Sequence, residues 1–249
     1  MEPHLKPFIT VALSGRLGNN CMQIMTAISH AWRNGVEYKI PSYNRSKYTK
    51  QTPFDFFPLL TPEDEAKIEV EHRQDGWTFE PLPFTGKNTR LHGWYQNINY
   101  FDEYRKELIE AFNLPKEKID AVCVHVRRGD YAKYPTKWPM LPRNYYEAAY
   151  ELSKSINIPF HIFSDDDIAN EDFPYAHNFI VGNDPMNDWM LMTQYKYFII
   201  ANSTYSWTAA YLSGSDNVIA PHHSKWYGKD NAAIYTGELI PSQWQQILF

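Results

Sequence analysis

Cysteine is nearly absent. Cys21 and Cys123 are the only two in 249 residues, which excludes a disulfide framework and suits a reducing compartment. An excess of positive charge is also missing. Lysine and arginine number 24 against 29 acidic residues, leaving a net charge of -5 and a pI near 6.0. Nothing in the overall field calls for nucleic acid, so an anion site has to be a local concentration of arginine. No run approaches the roughly 18 apolar residues of a membrane-spanning helix. The opening Met1–Gly15 carries no charged leader ahead of an apolar stretch and a cleavage site. A soluble, cytoplasmic protein without a transmembrane segment is therefore expected. Repeats, low-complexity tracts and heptads are lacking too, which sets aside solenoids and coiled coils. What is present is 43% hydrophobic and 16% aromatic residues, enough for one large core or two smaller ones.

The most informative stretch runs from Ala121 to Asp130. Val122, Val124 and Val126 alternate as in a buried strand, and the run stops at His125, Arg127, Arg128, Gly129 and Asp130. Ligands collect beyond the carboxyl ends of strands in open α/β sheets, so two arginines delivered there point to an anionic ligand such as a diphosphate. A solvated surface turn is the plainer alternative, and the crowding of His, Arg and Asp around one glycine weighs against it. The embedded Arg128-Gly129-Asp130 adhesion-like tripeptide has no secretory context and is read as chance.

The rest of the chain supplies the frame. Phe8–Leu13 reads as a strand, Ser14–Asn20 as a glycine-containing turn, and Cys21, Ile24, Met25, Ile28, Ala31 and Trp32 as one face of a helix leading to a short strand at Val36–Ile40. Such a turn either brings backbone N–H groups close to a ligand or is an ordinary tight connection. Between Pro41 and Arg90 the pattern blurs, with one helix start at Thr61-Pro62-Glu63-Asp64. Tyr43, Tyr48, Phe54, Phe56 and Phe57 are candidates for stacking on sugar rings, with core packing the commoner use of such residues. A strand end is expected at Leu91–Gln96, a helix at Tyr100–Phe112, and a linker at Pro115–Asp120. Beyond it, helices at Asn144–Ile156, Pro185–Gln194 and Ser206–Leu212 alternate with strands at Pro159–Phe163, Phe179–Val181, Tyr197–Ile200 and Asn217–Ala220. That order predicts an α/β fold with parallel sheets and right-handed crossovers, in two halves.

Two further strand ends carry chemistry. Asn202, Ser203, Thr204, Tyr205 and Ser206 form a hydroxyl-rich strand-to-helix junction, suited either to an N-cap or to a phosphate or sugar hydroxyl. Asp165 and Asp167 have the spacing of a metal-binding acidic pair holding a cation against a diphosphate; capping the next element or holding a base or ribose is the alternative. Two arginines nearby would make such a cation redundant, so no metal cofactor is expected. His222 and His223 lack the spaced partners of a metal site.

The stretches His125–Asp130, Gly15–Gln23, His161–Asp166 and Asn187–Leu212 together resemble the bacterial α1,2-fucosyltransferases of glycosyltransferase family 11. The resemblance implies a GT-B-like α/β fold of two Rossmann-like lobes with a cleft between them, divided as an acceptor-side lobe (1–118) and a GDP-fucose-binding lobe (119–249). It implies inverting, metal-independent transfer of L-fucose from GDP-fucose to the 2-OH of a terminal β-galactoside on an acceptor glycan, in the setting of a surface polysaccharide. Arg127 would stabilise the departing GDP, with His125 and Arg128 ordering its strand end. Asn202, Ser203, Thr204 and Ser206 would contact the diphosphate and fucose, and Asp165 and Asp188 the guanine or ribose. Arg16 and Asn19 would reach the donor across the cleft. Asp130 is either the base that takes the acceptor proton or a carboxylate that orients Arg127. Arg16 and Asn20 stand where the family usually has Gly and Gln, and Thr208 stands where a second Trp is frequent, departures that bear on acceptor preference. A metal-dependent sugar-nucleotide transferase and a non-catalytic sugar-nucleotide or carbohydrate-binding protein are the competing readings.

Overall fold

Phe8 and Thr10 alternate with Ile9 and Val11, both sets buried, and the four form β1 (Phe8–Val11), an inner strand of the first sheet. The computed structural model describes residues 6–42, 54 and 56–249 and divides the chain into two units, Met1–Phe112 and Asn113–Phe249. In the first unit, α1 (Leu17–Arg33) buries nearly its whole circumference and leads to β2 (Glu37–Tyr38). A short α2 (Pro62–Glu65) follows. It starts where the sequence signalled, with Thr61 and Asp64 forming a reciprocal capping box. Next come β3 (Val70–Arg73), β4 (Thr89–His92) and α3 (Arg105–Ala111). The strands pair in the order β2-β1-β4-β3, all parallel.

The second unit begins with β5 (Ile119–Val126), then α4 (Arg143–Ser153), β6 (Phe160–Ser164), β7 (Asn178–Val181), α5 (Pro185–Met192), β8 (Tyr195–Ile199), α6 (Thr204–Leu212), β9 (Val218–Pro221) and β10 (Gln245–Ile247). Its sheet runs β7-β6-β5-β8-β9-β10, again parallel throughout. Counted from its own first strand this is the order 3-2-1-4-5-6 of a dinucleotide-binding fold, with the chain reversing direction between β5 and β8. Alternation along β5 explains the layering. Val122, Val124 and Val126 pack with Tyr145, Tyr146 and Ala149 of α4, while Cys123 and His125 are buried at the alternate positions. The protein is thus an α/β chain of two Rossmann-like lobes, the GT-B-like architecture expected.

Some expected elements differ in detail. The helix expected from Tyr100 begins with 3-10 turns at Ile98–Tyr100 and Asp102–Tyr104 before α3. The helix expected from Ser206 starts at Thr204, because Ser203 caps it. Of the aromatics considered for sugar stacking, Tyr43 and Tyr48 lie outside the described residues. Phe54 and Phe57 are buried, both edge-on to Phe112, while Phe56 is exposed. Among the described residues no helix is long and apolar enough to cross a membrane.

Candidate active site

The reversal between β5 and β8 brings two of the expected clusters side by side. β5 delivers Arg127 from its carboxyl end, β8 delivers Asn202 to Thr204 from the neighbouring one, and β6, on the other side of β5, delivers Asp165. Crevices at such reversals are where open α/β sheets bind ligands.

Arg127 is the fixed point of the cluster. Its side chain is 13% exposed and is gripped on two sides: one terminal nitrogen pairs with Asp130, three residues on, and the other with Asp165 Oδ2 at 2.5 Å. The guanidinium also lies over the Tyr131 ring, 5.1 Å from its centroid. Asp165 uses its second oxygen as well, accepting the Arg128 backbone N–H at 2.9 Å. Gly129, at φ +24°, makes room for this: a Cβ there would sit 2.3 Å from Asp165 Oδ2. Arg128 itself lies near Tyr146, whose hydroxyl donates to the His125 carbonyl at 3.2 Å.

His125 is 2% exposed, with its ring 5.4 Å from that of Tyr205. Burial and the Arg127 charge hold its pKa down at about 3, so the imidazole is neutral across the working range. On the β8 side, Asn202 donates to the carbonyls of Pro139 (2.9 Å) and Trp226 (3.0 Å), and its own carbonyl accepts from the Tyr131 hydroxyl at 3.0 Å. Tyr131 thereby ties the loop after β5 to the loop after β8. Ser203 Oγ caps α6 by accepting the Tyr205 N–H, and Thr204 opens that helix. Ser206 is fully buried one turn in, its hydroxyl donating to the Ser203 carbonyl at 3.4 Å.

Three buried polar atoms in this cluster have no partner among the described residues: His125 Nδ1, Arg127 Nε and Asn202 Oδ1. Buried polar groups are ordinarily paired, so three unsatisfied atoms at the ends of the neighbouring strands β5 and β8 mark this as the part of the second unit where a ligand's polar groups are wanted. Asp188 stands on α5, where it accepts from Asn183 at 3.1 Å, and burial raises its pKa. Among the described residues no three His, Cys, Asp or Glu side chains are placed to hold a metal ion.

Arg16 and Asn19 belong to the other unit. Arg16 is exposed at the start of α1. Asn19 accepts from Gln96 Nε2 at 3.0 Å and packs so close to Gly15 (φ +77°) that a Cβ there would meet Asn19 Nδ2 at 2.4 Å and Trp94 at 2.9 Å. Trp94 also borders a pocket of about 410 Å³ at the carboxyl edge of the first sheet, lined further by Ser14, Gln74, Asp75, Trp77 and His92. Gln74 fixes one wall by accepting the backbone N–H groups of Trp94 and Tyr95 at 3.0 and 3.1 Å.

Tyr131 escapes sequence reading, and Gly129, read there as the centre of the charged run, gains from the structure the task of making room for Asp165. Tyr131 directly follows the charged run, but an aromatic after Asp130 gives no signal of its own. Only the three-dimensional approach of β8 gives it a role.

A family model described as glycosyl transferase family 11 matches residues 82–237. An Escherichia coli alpha-1,2-colitosyltransferase is 31% identical over 179 residues, 62% of this chain and 61% of its own. The E. coli O-antigen biosynthesis glycosyltransferase WbnK is 28% identical over 174 residues, 59% of this chain and 58% of its own. The chain thus spans about six-tenths of the length of these two relatives. Galactoside alpha-(1,2)-fucosyltransferase 2 of Oryctolagus cuniculus is 25% identical over 252 residues, 86% of this chain and 70% of its own. Among solved structures, an Arabidopsis thaliana FUT1 mutant in complex with GDP has a TM-score of 0.52 at 10% identity, covering 88% of this chain and 70% of that one, a likeness of fold.

Proposed function

The chain belongs to glycosyltransferase family 11, and from that premise we propose that it transfers L-fucose from GDP-fucose to the 2-OH of a terminal β-galactoside, with inversion and without a metal. One observation carries the reading: at the reversal point of the second sheet a guanidinium is held on two sides beside the N-terminus of α6. A diphosphate leaving group needs that combination of fixed positive charge and helix N–H groups. Fucosyl transfer breaks the bond from the anomeric carbon to the β-phosphate oxygen while charge builds on GDP. Arg127 stabilises that charge more in the transition state than in the ground state. Ser203 and Thr204 bring hydroxyls to the same helix start, and the side-chain oxygen Oδ1 of Asn202 can accept from a fucose hydroxyl; Ser206, enclosed in α6, acts by holding the Ser203 carbonyl. The acceptor hydroxyl attacks from the opposite face of the sugar and gives up its proton to a base, for which Asp130 is the candidate. The first unit serves the acceptor, with Trp77 and Trp94 as apolar platforms and Gln74, Asp75 and His92 as polar partners of the kind sugar hydroxyls need.

Metal independence draws support from Asp165. Both its oxygens are engaged, one by Arg127 and one by the Arg128 N–H, which leaves the Asp165/Asp167 pair poorly suited to a cation. The test is transfer to a panel of β-galactosides with EDTA present, comparing wild type with Arg127→Ala. Because one E. coli relative is named a colitosyltransferase, a colitosyl donor is run beside GDP-fucose. Transfer in EDTA, reduced at least 100-fold by the substitution, is the expected result. Transfer that appears only when Mn²⁺ is added would overturn the metal-free mechanism.

A further inference from the structure

The parallel register of β5 and β6 puts Val126 opposite Ser164. The next residues along the two strands are Arg127 and Asp165, so the sheet itself sets their ion pair. This differs from the Arg127–Asp130 pair, a contact three residues apart in the chain whose carboxylate sits in a short 3-10 segment, Gly129–Lys133. Asp165 therefore stands on the more rigid of the two supports, and its carboxylate is spent in both directions on the β5 strand end. Gly129 completes the arrangement, since the carboxylate fills the space in which any side chain at that position would begin.

We propose that Asp165 is a positioning residue that acts through Arg127, fixing the guanidinium for the diphosphate, and that it touches neither the nucleotide nor a metal. The proposal rests on the reading of Arg127 as the diphosphate's partner. It assigns to Gly129 the matching task of admitting the Asp165 carboxylate to the strand end. A carboxylate that holds a functional group in orientation ordinarily matters by a factor of 10 to 100.

The experiment is a double-mutant cycle read by calorimetric titration with GDP, supplemented by fucose transfer. Asp165→Asn keeps an oxygen for the Arg128 N–H and removes the charge that pairs with Arg127. It should weaken GDP binding about tenfold in the wild-type background and leave it unchanged in an Arg127→Ala background. An undiminished effect of Asp165→Asn in the Arg127→Ala background would mean that Asp165 contacts the nucleotide directly, and the proposal falls. GDP affinity that rises with Mn²⁺ in wild type and loses that rise in Asp165→Asn would overturn it equally. Gly129→Ala leaves every charge in place and displaces the Asp165 carboxylate, so it should reproduce the weakened GDP binding; unaltered binding in Gly129→Ala would refute the packing half of the inference. An intact cycle in a wild-type protein that transfers no fucose would retire the proposed donor chemistry while the coupling stands.

Discussion

Asp130 and Asp165 grip the same guanidinium, and their different supports give them different liberties. Asp130 lies in the short 3-10 segment after β5, and on the proposed function it is the one that exchanges its pair with Arg127 for an acceptor hydroxyl, whereas Asp165 is held by strand register. Asp130→Asn separates base from orienter: the amide still hydrogen-bonds Arg127 but takes no proton. The expected outcome is a fall in kcat of at least 100-fold with GDP affinity within about threefold of wild type. A loss of GDP affinity as large as that of kcat would assign Asp130 to orientation alone. At this scale the cluster was legible in the sequence where it is local. His125, Arg127, Arg128 and Asp130 form one run, and their shared location could be read from the end of a valine-rich strand. The meeting of Arg127 with Asp165 could not, because it depends on which strand lies beside β5 and in what register, information spread over the whole sheet. Ser206 taught the complementary lesson. A hydroxyl within a motif looks alike whether it faces a ligand or, as here, turns back to a carbonyl inside its own helix.

The elements that carry the cluster are short and depend on their surroundings. α6 is buried on every side from Ser206 to Leu212, so packing rather than amphipathicity holds it. Trp207 stacks on Tyr211 at 4.8 Å and donates to the Leu239 carbonyl at 3.0 Å. Its exposed liability is the start, where Ser203 is the cap. Ser203→Ala should lower stability by about 1 kcal/mol and also weaken GDP binding, measured by denaturant titration and calorimetry on the same preparation. A stability loss with GDP affinity unchanged would make Ser203 a cap and nothing more. Strands with valine, isoleucine and phenylalanine runs were readable to within about two residues. β3 and β10 were not, since Val70-Glu71-His72-Arg73 and Gln245-Gln246-Ile247 lie at sheet edges, where one side faces water and polar residues are tolerated. The helix start at Thr61 was readable because a capping box is wholly local.

Across the whole chain, each unit encloses a histidine that it keeps neutral. His30 in α1 is 1% exposed, its pKa brought down to about 4 by burial and by Arg33. His125 in β5 is brought down to about 3 by burial and by Arg127. Unfolded histidine titrates near 6.5, so below that pH the unfolded chain binds protons that the folded chain refuses. Stability is therefore full above about pH 6.5 and falls as the pH drops through the window toward 4 and then 3. At pH 5 each imidazole accounts for a loss of up to about 2 kcal/mol. Urea midpoints at pH 7 and pH 5 should show this, and His30→Gln with His125→Gln should flatten the profile. A wild-type midpoint that does not move would refute the neutral, buried state of both rings. The parallel sheets have a consequence in time as well as in space. β5, the middle strand of its sheet, is laid against β8 with Val124 opposite Ile199, 75 residues later in the chain. No hairpin can hold it while it waits. A ribosome therefore releases β5, the longest strand of the second unit, long before its second neighbour exists, and through that interval its apolar residues have no sheet to enter, which exposes them to aggregation or to a chaperone.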